Sequence, residues 1–142
     1  MPTIQSNVAA KQTTIALDAK LGTTEFGGRV RLIHGTVTTT NGAAGTIIEL
    51  ARLPKGARLL PISMLHFEAG QNASLTVKVG DALDDDRYFS GTPGASATSK
   101  NLSANVLNDY VCPEETMLIA TTGAQALTAN KKITFDLFYV ID

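Results

Sequence analysis

The chain has 142 residues, enough for one domain and one good core; 44% are hydrophobic, only 18% are charged, and the formal net charge is -1. That balance excludes the basic stripe of a nucleic-acid-binding protein, and no stretch approaches the roughly 18 apolar residues of a membrane-spanning helix. A single cysteine, Cys112, leaves no partner for an intrachain disulfide, so the fold has to hold without a staple.

Met1 to Phe26 is polar, rich in Ala and Thr, and weakly patterned. It reads as an extended N-terminal arm over residues 1–26, preceding one β-domain over residues 27–142. Within the arm, Thr13, Ile15 and Leu17 alternate in a short strand-like run. Extended at roughly 3.3 Å per residue, about 20 residues of arm reach on the order of 65 Å. The N-terminus lacks a basic start followed by an apolar run, so it does not read as a secretory signal. The expected site of synthesis is a cytoplasm.

From Gly27 the chain breaks into short β-like runs separated by turn residues. Arg29 to Thr40 is rich in Val, Ile and Thr, Asn41-Gly42 is a strong turn signal, and Thr46 to Leu53 follows; together they predict a hairpin or a pair of neighbouring strands. Pro54-Lys55-Gly56 is a turn. Arg58 to Phe67 is nearly all apolar, with Leu59, Leu65 and Phe67 on one face and Leu60, Ile62 and Met64 on the other. That pattern predicts a strand covered on both sides, with Pro61 at an edge or bulged position. Ser74 to Val79 alternates cleanly, the mark of a half-buried strand. Gly80 to Asp86 is an acidic turn and Arg87 to Phe89 a short strand. Ser90 to Ala104 reads as a long loop. Val106 to Val111 and Thr116 to Thr122 are strand candidates, and Lys131 to Ile141 is the clearest strand, with Ile133, Phe135, Leu137, Tyr139 and Ile141 on one face. No helical period is sustained over three turns. About eight short strands with Gly and Pro turns predict an antiparallel β-sandwich, with a jelly roll as the favoured topology.

Candidate chemistry is sparse. His34 and His66 each sit in a strand-like run without local ligand spacing, and read as structural. A Ser-His-Asp group assembled in space stays open, but no Gly-x-Ser-x-Gly elbow supports one. Asp81, Asp84, Asp85 and Asp86 crowd one turn; they offer oxygen ligands to calcium but depart from the EF-hand spacing. The simpler reading is a turn whose Asp side chains accept bonds from backbone N–H groups, with Asp86 and Arg87 as a possible ion pair. Cys112, between Val111 and Pro113, reads as a small apolar residue. No catalytic, metal or cofactor site is expected.

Val30 to Val140 resembles the small tailed-bacteriophage proteins that decorate or cement a capsid. The resemblance rests on order and spacing: Gly35-Thr36-Val37-Thr38, the turn Leu53-Pro54-Lys55-Gly56-Ala57, the apolar run through Leu65, Leu75-Thr76-Val77-Lys78-Val79-Gly80-Asp81, then Asp86-Arg87-Tyr88, and a closing strand from Ile133 to Val140. It implies a jelly-roll-like sandwich that sits on the outside of an icosahedral shell as a homo-oligomer, a dimer or trimer. It implies the major capsid protein as partner, with neither nucleic acid nor membrane contacted. The low charge agrees, since interface cores are depleted in Lys, Glu and Asp. The residues expected at such interfaces are Thr13, Ile15 and Leu17 of the arm, and Leu59, Leu65, Phe67, Phe138 and Val140 of the domain. A tail or head-fibre protein is an alternative, as is a carbohydrate-binding jelly roll using the Asp81–Asp86 turn for calcium and Tyr88 or Phe89 for stacking.

Overall fold

Runs of β-branched and alternating residues become nine strands in the computed structural model, which describes residues 29–102 and 110–141. They are β1 (Arg31–Thr38), β2 (Ile47–Leu53), β3 (Ala57–Leu59), β4 (Met64–Phe67), β5 (Thr76–Gly80), β6 (Phe89–Gly91), β7 (Thr98–Asn101), β8 (Thr116–Gly123) and β9 (Lys132–Ile141). Among the described residues there is no helix. The strands form two antiparallel sheets, one in the order β1-β9-β4-β7 with β3 also on β9, the other β2-β8-β5-β6.

β3 and β4 are two halves of one broken strand. Ala57 faces Ile141 and Leu59 faces Tyr139, whereas Met64 faces Asp136 and Phe67 faces Ile133, so the register along β9 slips by two residues between the halves. The slip is a bulge at Leu60–Ser63, as Pro61 predicts. Ser63 secures it: the Phe138 N–H donates to Ser63 Oγ at 2.9 Å, and the Ser63 hydroxyl donates to the Phe138 carbonyl at 3.1 Å. A two-residue slip preserves side-chain parity, so Leu59, Leu65 and Phe67 all point inward. Counting β3 and β4 as one gives eight strands in two four-stranded sheets, with sequential strands alternating between sheets except at β5 and β6, which pair with each other. This order is consistent with the expected jelly roll.

The core lies between the sheets. β9 sends Ile133, Phe135, Leu137 and Tyr139 inward; β5 contributes Val77 and Val79, and β8 contributes Leu118 and Ala120. Fully burying each large aliphatic side chain stabilises the fold by roughly 1.5–3 kcal/mol. Gly35 is part of this packing. It faces Phe135 across the β1–β9 ladder, and a Cβ there would fall 2.4 Å from the Phe135 ring. The ring therefore occupies the space that any larger residue would need.

Three expectations require correction. β1 and β2 are not a hairpin: β1 pairs with β9 and β2 with β8, in opposite sheets. After Thr38 the chain crosses from one sheet to the other instead of turning back on itself. Residues 90–104 are not one loop, because β6 pairs with β5 and β7 with β4 inside that stretch. The short strand expected at Arg87–Phe89 begins only at Phe89. The arm over 1–26 and most of the strand candidate Val106–Val111 lie outside the described residues.

Candidate interaction surfaces

The outward side chains of the first sheet divide into a polar row and an apolar end. His34 faces Asp136 across β1–β9, and His66 faces Ser99 across β4–β7. Asp136 joins them: His34 Nδ1 lies 2.5 Å from one carboxylate oxygen and His66 Nε2 lies 3.1 Å from the other. An ionised carboxylate only accepts, so both imidazoles donate to it. His66 Nδ1, 2.7 Å from Ser99 Oγ, is then left to accept the Ser99 hydroxyl proton when the ring is neutral. The hydrogen bond from His34, aided by that from His66, outweighs slight burial and holds the Asp136 carboxyl below its ordinary value. The row has the order Ser-His-Asp. A hydrolase also needs a cleft and oxyanion donors. Here the carboxylate is shared by two histidines on an open sheet face, where the His34 side chain is 60% exposed. The arrangement fits a clamp across four adjacent strands, in line with the structural reading of both histidines.

Beyond this row, towards the start of β1, the same face turns apolar. Leu32 is 56% exposed, Phe138 and Met64 are half-buried, and Ile62 in the adjoining bulge is 55% exposed. Leu32 lies directly opposite Phe138. Of the residues expected at interfaces, Phe138 belongs to this outward face and retains accessible surface. Val140 shares its parity but is only 7% exposed. Leu59, Leu65 and Phe67 are at most 3% exposed and sit in the chain's own core, so they are not available to a partner. The inward parity kept by the Leu60–Ser63 bulge is the reason. Thr13, Ile15 and Leu17 lie outside the described residues. Sequence reading missed Leu32, although its place one residue before the half-buried Ile33 on an alternating strand fits the two-residue period.

The second sheet carries a groove of about 480 Å³ on its outer face. Ile47 of β2 and Met117 and Ile119 of β8 form its floor, and Leu83, Tyr110 and Pro113 its sides. Two of these are strongly exposed, Ile47 at 60% and Leu83 at 86%. Glu49, Asp81, Glu114 and Glu115 also line it, and no lysine or arginine does among the described residues.

The acidic turn shapes one wall of this groove. Gly80 allows its tight path, since a Cβ there would fall 2.0 Å from the Asp84 carbonyl oxygen. Asp81, 3% exposed, accepts the N–H groups of Leu83 (2.9 Å) and Asp84 (3.0 Å) on one oxygen and Arg87 Nε (2.8 Å) on the other. Burial alone would raise its pKa; Arg87 and the two N–H groups overcome that and hold it below the ordinary value. The guanidinium of Arg87 lies 3.7 Å over the Tyr110 ring and also approaches Asp84 at 3.8 Å. The partners of Arg87 are thus Asp81 and Asp84, not the Asp86 considered from sequence. The turn follows the simpler of its two readings: Asp81, the best buried carboxylate, spends its oxygens on the loop itself. Asp84, Asp85 and Asp86 bring ligand atoms within 4.8 Å of one another, and the bond that a protonated Asp86 donates to the Asp84 carboxylate pushes the Asp86 carboxyl up. Cys112 is buried, and burial raises the pKa of its thiol, as expected for an unreactive apolar side chain.

Neither a known protein-family model nor a curated protein matches the sequence. Two solved structures share its fold. A chain in the capsid of Ralstonia phage GP4 is 22% identical with a TM-score of 0.66, covering 81% of this chain and 86% of that one. A chain in the capsid asymmetric unit of cyanophage Pam1 is 22% identical with a TM-score of 0.63, covering 100% of both. A chain in the capsid of Helicobacter pylori bacteriophage KHP30, at 15% identity and a TM-score of 0.45, is too distant to carry an argument. The chain thus has the fold of β-sandwich chains found in phage capsids.

Proposed function

We propose that this chain is a structural protein of a bacteriophage virion, made in the host cytoplasm, that binds the outside of the icosahedral shell as a homo-oligomer and cements contacts between subunits of the major capsid protein. The observation that carries the reading is the end-to-end fold likeness to a chain of the Pam1 capsid, covering 100% of each. The surface supports it. Large apolar side chains are exposed at Leu32 of β1 and Ile62 of the β3–β4 bulge, and at Ile47 of β2 and Leu83 of the acidic turn, so each chain has more than one apolar surface for neighbours.

Such a role needs area, not chemistry. Covering one half-exposed Leu or Ile is worth on the order of 1 kcal/mol. One chain with a few such residues binds weakly, but an oligomer engaging several shell subunits at once multiplies the effect through effective concentration. The stabilisation of the shell then follows by mass action, because the protein binds the assembled state and not the dissociated one. Phe138 on the first sheet and the arm over 1–26 are assigned to these contacts, whereas Val140, at 7% exposure, adds little surface to them.

The test is addition of purified protein to phage shells that lack it. Saturable co-sedimentation and a higher disruption temperature are the expected outcome. Shells that neither bind the protein nor gain heat resistance would remove the cementing role, and a specific association with tails instead would move the protein to another part of the virion.

A further inference from the structure

We propose that the groove on the outer face of the second sheet is the seat for residues 11–20 of a second copy of this chain. The proposal rests on the oligomeric reading above and adds the contact that would make the oligomer. The groove has an apolar floor of Ile47, Met117 and Ile119, and among the described residues four acidic side chains line it and no basic one does. Asp81 is neutralised from within by Arg87. Glu114 and Glu115 reach only Lys55 and Arg52, at 3.8 and 3.6 Å across open surface, contacts that cost little to exchange. The seat therefore selects an extended segment with small aliphatic side chains and flanking cations.

Residues 11–20, Lys-Gln-Thr-Thr-Ile-Ala-Leu-Asp-Ala-Lys, have that composition. Ile15 and Leu17 are two apart, so an extended backbone presents both to one side, and lysines stand at both ends. The chain also has the reach. At roughly 3.3 Å per residue, 28 residues preceding Arg29 extend to about 90 Å, whereas a domain of this size has a radius of gyration near 13 Å. That contour length is sufficient to span from one sandwich to a neighbour. Its groove contacts would supply side-chain specificity, and repetition around an oligomer would supply avidity.

Disulfide trapping in the full-length chain tests this. The double variant Ile15→Cys with Ile119→Cys is mildly oxidised, and a matched control carries Ile15→Cys with Leu32→Cys on the opposite sheet. Native Cys112 is 1% exposed and stays out of the reaction. The expected result is covalent dimers and higher multimers for the groove pair, their loss in the control, and their loss again when Glu114→Lys and Glu115→Lys are added. Native mass is measured in parallel. An oligomer by mass that gives no linked chains, equal linking at Leu32, or a link formed only within one chain overturns the proposed seat. A monomer by mass at all concentrations overturns the oligomeric reading itself.

Discussion

Asp81 and Asp136 show how the same side chain serves two ends at the scale of single residues. Asp81 is enclosed and holds a turn together; Asp136 lies on a sheet face and holds strands together. Asp81→Ala removes the acceptor of two backbone N–H groups and leaves the Arg87 guanidinium, whose side chain is 14% exposed, with only the longer approach to Asp84 and the Tyr110 ring. Removing one partner of a buried pair costs about 3 kcal/mol, so the urea midpoint should fall by the corresponding amount. Asp81→Asn keeps the oxygen that accepts Leu83 and Asp84, and should lose less. Equal losses for the two variants would mean that the ion pair, not the turn bonds, is what matters. For Asp136 the prediction is a pH dependence. Its carboxyl is held below the ordinary value, so the folded state binds fewer protons there than the unfolded state does. The resulting stabilisation is present above the ordinary carboxylate range, near pH 4, and is lost as pH falls through the lowered value. The unfolding midpoint of Asp136→Asn should therefore lie below that of the native chain at pH 6, by roughly 1 kcal/mol or less for a partly exposed pair, and converge with it in acid. Parallel curves across that range would contradict the clamp. Neither role was legible in full from the sequence. The backbone bonds of the Asp81 turn were, because their donors are two and three residues away, but Arg87 was matched to the adjacent Asp86 and not to Asp81 six residues before it. The Asp136 clamp was not, because its histidines lie 102 and 70 positions distant, and only strand pairing brings them together.

Among the elements, the broken strand β3–β4 is the one whose sequence says most. Pro61 in an apolar run announced a bulge, and the bulge is there, but its fastening by Ser63 was silent because a serine between apolar neighbours has no local signature. Ser63→Ala leaves the buried Phe138 N–H without its acceptor, whereas the Phe138 carbonyl keeps the Leu60 N–H at 2.7 Å. One orphaned buried donor costs about 1–3 kcal/mol. Thermal unfolding and amide exchange at Phe138 should both report the loss; an unchanged melting temperature would show that the bulge holds without the hydroxyl. The strands with strict two-residue alternation, β5 and β9, were readable because one face is buried and the register is thereby forced. Partner choice was less readable. Asn41-Gly42 marked a change of direction after β1, but the residues from Thr39 to Thr46 carry the chain to the opposite sheet: Gly42 bridges to Leu127, and the Gly45 N–H donates to Thr122. The short edge strands β6 and β7 were hidden for another reason. They are three and four residues long, with Ser, Gly, Thr, Lys and Asn in place of β-branched runs, so pairing with β5 and β4 rather than intrinsic propensity makes them strands.

Taken whole, the molecule is a β-sandwich with its core filled from both sheets and with apolar side chains left over on both outer faces. The inward set was foreseen by periodicity in and just before β5, at Leu75, Val77 and Val79, and along β9, at Ile133, Phe135, Leu137 and Tyr139. The outward set was foreseen in part, since the sequence singled out Phe138 but placed Leu59, Leu65 and Phe67 on a face where the jelly roll buries them. Surface contacts are harder to read because nothing in one chain records the partner that covers them. The account's central claim concerns that partner, and the direct test is the binding of the full-length protein to purified shells lacking it, measured by quantitative sedimentation alongside the shells' disruption temperature. A stoichiometric plateau with a raised disruption temperature is the predicted result. Absence of a plateau, with shells no more resistant to heat than before, would contradict it.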